Sequence, residues 1–150
     1  MSHSLGRVFV HVVFSTKNRM HFFQNQDFRR RMHAYLAGIL KSRECIPIEV
    51  GGHVDHVHVL TCLANSISVA ELTKELKRVS TIWVNGQTCN CDRFSWQEGY
   101  SAFSVSQGLL ARAVDYIREQ EEHHRRMTYE EEIRALLSPR RTTCGRPTGG

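Results

Sequence analysis

Residues Val8 to Phe14 read VFVHVVF, apolar at both parities except at His11. Alternate residues of a strand face opposite sides, so this run predicts a strand largely buried on both faces. It is the longest near-continuous apolar stretch in 150 residues. It is also far too short to cross a bilayer, so no membrane partner is expected. Around it, segments alternate in type. Phe28, Met32, Tyr35, Leu36, Ile39 and Leu40 recur at helical spacing, with Arg29, Arg30 and Arg31 expected to turn outward. IPIEV and HVHVLTCL flank Gly51-Gly52 and predict two strands joined by a tight connection. In SVAELTKELKRVSTIWV, Val69, Leu72, Leu76, Val79 and Trp83 mark one helix face, and Ser68 with Glu71 fits a capping box. FSWQEGYSAFSVS predicts a further strand or pair of short strands. A last major helix is expected over about Gly108 to Arg126, with Leu110, Ala113, Val114 and Ile117 inward, followed by a short one in TYEEEIRALL.

The order β-α-β-β-α-β, with helices after it, matches the ferredoxin-like split βαβ arrangement. The expectation is an α+β domain whose antiparallel sheet has helices on one face, leaving the other for a ligand or partner. One domain is expected over residues 1–137, and SPRRTTCGRPTGG, residues 138–150, reads as a flexible basic tail. Composition supports a folded chain, at 41% hydrophobic and 23% charged. The net charge of +5, much of it from Arg140, Arg141 and Arg146, favours a polyanionic partner. The start, MSHSLGRVF, lacks the pattern of a signal peptide. A cytoplasmic protein, nucleoid-associated at most, is expected. Cys45, Cys62, Cys89, Cys91 and Cys144 form an odd, irregular set, and Cys89 and Cys91 read as reduced loop thiols.

His56 and His58 lie two apart in a strand and so project from one face, where two neutral imidazoles can form two legs of a metal site. The same spacing also suits two ordinary polar residues on a half-exposed strand. Asp55, of opposite parity, is better placed to end the turn than to ligate. On the last helix Tyr116 and Gln120 lie one turn apart. Gln120 offers a carbonyl oxygen as a third ligand. Tyr116 offers a phenol, a nucleophile only once deprotonated, or else a tyrosine at a core margin. His123, a further turn on, reads as a reserve ligand, a phosphate contact or, with His124, a solvated pair near the helix end.

Four stretches then carry a resemblance: HVVFSTKNR (His11 to Arg19), DHVHVL (Asp55 to Leu60), FSWQEGYSAFSVS (Phe94 to Ser106) and YIREQEEHH (Tyr116 to His124). In this order, over roughly Val8 to Glu132, the chain resembles the single-tyrosine HUH transposases. These are the insertion-sequence-200-like transposases and their domesticated relatives, the REP-associated tyrosine transposases among them. The family often carries Met-Pro before the Asp-His pair, where this chain has His53-Val54. The resemblance implies an HUH fold with His56, His58 and Gln120 as ligands of Mg²⁺ or Mn²⁺ and Tyr116 as the nucleophile. It implies cleavage and rejoining of single-stranded DNA through a 5′-phosphotyrosine, on element ends that contain a hairpin. It further implies a homodimer in which the tyrosine can act in trans. Arg29, Arg30, Lys74, Lys77 and Arg78 are candidate phosphate contacts, and Trp96 and Tyr100 candidate base-stacking residues. Two other readings compete. One is a non-catalytic nucleic-acid-binding module. The other is a structural zinc protein using His56, His58, His123 and a cysteine.

Overall fold

The computed structural model describes residues 6–87, 93–124 and 126–138. Cys89, Cys91, Cys144 and the basic tail with Arg140, Arg141 and Arg146 lie outside the described residues. Four strands, β1 (Phe9–Ser15), β2 (Ile46–Gly52), β3 (His56–Cys62) and β4 (Ser101–Val105), form one antiparallel sheet in the order β2-β3-β1-β4. The apolar run near the start is the reason for that order. Every residue of β1 is buried, and an inner position between β3 and β4, with both faces covered, is where such a strand belongs.

The two parities of β1 and β3 do different work. Val12 pairs with Val59 and Phe14 with Val57, and these side chains join the core under α1 (Gln26–Ser42) and α2 (Val69–Gln87). From the helices come Met32, Leu36 and Leu40, and Leu72, Leu76 and Val84. Each such side chain contributes about 1.5–3 kcal/mol when fully buried. The two long helices thus share one face, as the alternation predicts. The other parity places His11, Val13, Ser15, His56, His58 and Leu60 on the opposite face. There α3 (Leu110–Arg118) crosses β2, and Gly51 makes this possible. A Cβ on Gly51 would lie 2.7 Å from Ile117 Cγ2 and 3.0 Å from the Ile117 carbonyl.

Local signals set the helix starts. The Asn25 side chain accepts from the Phe28 N–H at 2.8 Å, and Ser68 with Glu71 closes the capping box ahead of α2. The last major helix is shorter than expected. It divides at Glu119 (φ −97°, ψ 22°) into α3 and a single turn, α4 (Gln120–His123). Hydrogen bonds from Glu119 N to Asp115 O and from His123 N to Glu119 O carry the register across the break. After α4 the chain turns back into α5 (Tyr129–Leu137), which opens with a second capping box, Thr128 and Glu131.

One outward expectation, for Arg29, needs correction, and a second candidate phosphate contact, Lys77, has partners within the chain. Arg29 is buried, donating to the Phe23 carbonyl at 2.8 Å and pairing with Glu121. Its helix face meets the start of α4, so a guanidinium that reads as solvent-facing is buried and pairs with the half-exposed Glu121. Lys77 donates through Nζ to the carbonyls of Gln97 and Gly99, at 2.8 and 2.6 Å. Its charge holds the segment ahead of β4. Trp96 belongs to the core, with Nε1 donating to Ser80 Oγ at 2.9 Å, while Tyr100 is exposed. No helix of the described residues is long and apolar enough to cross a membrane.

Candidate metal and nucleophile centre

The strand parity of β3 puts His56 and His58 side by side on the α3 face, both fully buried, with ring centroids 5.2 Å apart. Each is held from behind through Nδ1. Asp55 Oδ1 lies 2.8 Å from His56 Nδ1, and His11 Nε2 lies 2.8 Å from His58 Nδ1. The Nε2 atoms therefore point to a common centre. Gln120 Oε1 meets His56 Nε2 at 3.0 Å, so the one-turn offset from Tyr116 delivers its side chain to the histidines. Tyr116 sits above His58, with ring centroids 5.7 Å apart.

A residue that sequence reasoning missed fills the centre. Glu132 of α5 is buried, and its carboxylate accepts from the Tyr116 hydroxyl and from Gln120 Nε2 at 2.8 Å. It also lies 2.9 Å from His124 Nε2, 3.3 Å from His56 Nε2 and 3.4 Å from His58 Nε2. The signal was present in the sequence. Tyr129, Glu132, Ile133 and Leu136 share one face of a helix, so Glu132 is an acid on an apolar side. α5 is fastened there by more than its carboxylate. The Tyr129 ring packs 4.7 Å from His56, and Arg19 lies over Tyr129 while pairing with Glu130.

The electrostatics follow from burial and from that carboxylate. Burial alone would raise the pKa of Glu132, but His124, His56 and His58 crowded against its carboxylate outweigh it and hold the group well below the usual carboxylate range. Burial opposes charge on His56, yet Asp55 and Glu132 together push its pKa up to about 9. His58 goes the other way, down to about 4, because burial dominates and the charge on His56 adds to it. Tyr116 is raised well above the ordinary phenol range, by burial first and then by the anionic Glu132. At neutral pH the resting centre is thus an anionic Glu132 beside a cationic His56, a neutral His58 and a neutral phenol.

The donor set suits a divalent cation. Ligand atoms of His56, His58 and Glu132 lie within 4.8 Å of one another, and His58 Nε2 is a buried atom without a hydrogen-bond partner. With Gln120 Oε1 this is a mixed imidazole, carboxylate and amide site. Among the described residues no cysteine joins the group, and His123 does not either. Instead His123 packs on Tyr116 with centroids 4.5 Å apart. Its neighbour is no solvated residue, since the His124 side chain is only 8% exposed and bonded to Glu132. Of the candidate phosphate contacts, Arg30 and Lys74 are exposed, and Arg78 is exposed but pairs with Glu75.

Comparison with known proteins bears on the same residues. A family model described as IS200-like transposase matches residues 4–120, which include His56, His58, Tyr116 and Gln120 but not Glu132. A protein from Deinococcus radiodurans R1 described as a transposase superposes with a TM-score of 0.62 at 18% identity, covering 80% of this chain and 95% of its own. A REP-associated tyrosine transposase bound to a REP hairpin superposes with a TM-score of 0.60 at 14% identity, covering 93% of this chain and 89% of its own. No curated protein matches the chain by sequence.

Proposed function

The chain belongs to the IS200-like transposase family, and from that premise we propose that it cleaves and rejoins single-stranded DNA with Tyr116 as nucleophile. The observation that carries this reading is the convergence of His56, His58 and Gln120 on the Glu132 carboxylate, which itself accepts from the Tyr116 hydroxyl. His56, His58, Gln120 and Glu132 are proposed to hold Mg²⁺ or Mn²⁺. A cation there supplies charge neutralisation and polarisation at the scissile phosphate. Every other part falls to the chain. Buried histidines and α3 fix the position of the tyrosine, which is where much of the rate comes from.

The phenol begins neutral, its hydrogen directed at the Glu132 carboxylate, so that carboxylate is the nearest acceptor for the proton as Oη attacks phosphorus. The phosphorus–oxygen bond to the 3′ side breaks, and the departing 3′ oxygen takes up the proton that Tyr116 gave up, leaving a 3′-hydroxyl and a 5′-phosphotyrosine. Because the linkage is an ester of comparable energy, a second 3′-hydroxyl can reverse the step and join strands without ATP. The related transposase bound to a hairpin supports a hairpin-containing DNA partner. Arg30, Lys74 and Arg78 remain candidate phosphate contacts, whereas Arg29 and Lys77 spend their charge inside the chain. A homodimer is proposed, with β2 and β4 as the sheet edges open to pairing.

The test is a covalent adduct. Wild-type protein, incubated with hairpin-containing single-stranded DNA and Mn²⁺, is expected to yield a protein–DNA species that survives denaturation. Tyr116→Phe is expected to bind the DNA and form none. An adduct persisting in Tyr116→Phe would overturn the nucleophile, and DNA binding with no adduct from wild type would favour the binding-module reading.

A further inference from the structure

α4 is a single turn that carries one proposed ligand, and a lone turn is too short to hold its own direction. Glu119 breaks the helix ahead of it (φ −97°, ψ 22°), so α3 does not by itself fix where Gln120 points. Gln120 is nevertheless buried with both ends of its amide committed. Its Oε1 lies 3.0 Å from His56 Nε2, and its Nε2 donates to Glu132 at 2.8 Å. Such aim requires the turn to be held from its other side. The next residue, Glu121, is the handle: Arg29 pairs with it, and Gln26 Nε2 donates to it at 3.3 Å.

Arg29 reaches a second segment as well. Its Nη1 donates to the Phe23 carbonyl at 2.8 Å, and the Phe23 N–H donates to Val54 O at 3.0 Å. Val54 stands two residues ahead of His56, in the turn that opens β3. One planar guanidinium thus ties the approach to His56 to the turn that carries Gln120, and its rigid fork fixes both directions at once. The Arg29 side chain is only 8% exposed. A buried ion pair is a poor source of stability, since an apolar side chain of similar volume does as well. What the charge adds is geometry. We propose that Arg29 is a positioning residue that, through Glu121 and Phe23, seats Gln120 against His56. Its bearing on the cation rests on the reading of Gln120 as a ligand, whereas the positioning is measurable without a metal.

Hydrogen exchange followed by NMR in the full-length, metal-free protein tests the positioning. The Gln120 side-chain amide is expected to exchange slowly in wild type, as a buried donor to Glu132. Arg29→Met, which keeps a long apolar stem, is expected to lose that protection while the backbone amides of α2 keep theirs. A Gln120 amide that stays protected overturns the proposal, and so does a loss spread equally over α2. Mn²⁺ binding by titration calorimetry supplies the second arm. Gln120→Ala and Arg29→Met are each expected to lose at least about tenfold. The double variant is expected to lose no more than Gln120→Ala alone, because Arg29 acts through Gln120. Losses that add overturn the proposal, as does wild-type affinity in Arg29→Met where Gln120→Ala has lost it. If Gln120→Ala itself binds like wild type, the ligand reading of Gln120 fails, and the amide exchange alone decides the positioning. Glu121→Ala breaks the clamp at its half-exposed end and takes the place of Arg29→Met, with the same outcomes expected, should that variant not fold.

Discussion

Glu132 raises the pKa of both His56 and Tyr116, and its removal separates its roles. Glu132→Gln keeps the shape but takes away the charge that helps Asp55 push the His56 pKa to about 9. Two outcomes are expected. The His56 pKa falls toward the ordinary imidazole value, read by NMR titration, and Mn²⁺ affinity drops at least about tenfold, since even outer partners of a ligand are worth that much. An unchanged affinity would remove Glu132 from the ligand set. The same pKa gives a pH dependence in the wild type. Ligation needs neutral His56, which is protonated below about 9, so binding must expel that proton. Affinity for Mn²⁺ is therefore expected to rise by about tenfold per pH unit on approaching pH 9. Calorimetry in buffers of different ionisation heat counts the proton released, and a flat affinity from pH 7 to 8.5 would contradict it.

At the scale of elements, α3 is held against β2 by the absence of a side chain. Gly51→Ala would force the new methyl into Ile117, the residue next to the nucleophile. A cost of about 1–3 kcal/mol is expected from the overpacking, with adduct formation reduced further because Tyr116 moves with the helix. Urea unfolding and the adduct assay measure the two effects separately. Because Tyr116 reaches the histidines of its own chain, a mixture of Tyr116→Phe and His58→Ala is expected to form no more adduct than either alone; recovery would show action in trans. The elements differ in how legible they were. β1, β3, α1 and α2 could be read because their apolar parity or periodicity is a local property, and so could the pairing of His56 with His58. Gln120 was legible for the same reason, since one helical turn survives the break at Glu119. The break itself, and the return of α5, depend on contacts between distant segments. Arg19 with Glu130, and Glu132 with two histidines of β3, are pairings that no local pattern shows, although Glu132 by itself could be read as an acid on the apolar side of its helix. Arg29 misled for the mirror-image reason, because its partner Glu121 lies 92 residues away.

Across the whole molecule, burying so many imidazoles makes stability depend on pH from both sides. His11 and His33 are lowered to about 3 and His58 to about 4, each mainly by burial. A histidine whose folded pKa lies below its unfolded value of about 6.5 leaves the unfolded chain binding more protons as the pH falls. Each then costs up to about 1.4 kcal/mol per pH unit below 6.5. His56 has the opposite sign. Its folded pKa of about 9 contributes stability fully present below 6.5 and lost as the pH rises through 9. It does not offset the acid loss, because nothing of its contribution changes below 6.5. Metal-free protein is expected to be most stable near pH 6.5–7, with the urea midpoint falling steeply by pH 5 and more gently by pH 8.5. The gentler side reflects one raised histidine against four lowered ones, His53 at about 4 being the fourth. Added Mn²⁺ should restore the alkaline side, because binding favours neutral His56, and leave the acid side lost. A midpoint that rises from pH 6.5 to 5 would mean that these rings do not enter the fold uncharged, and the buried centre would need another account.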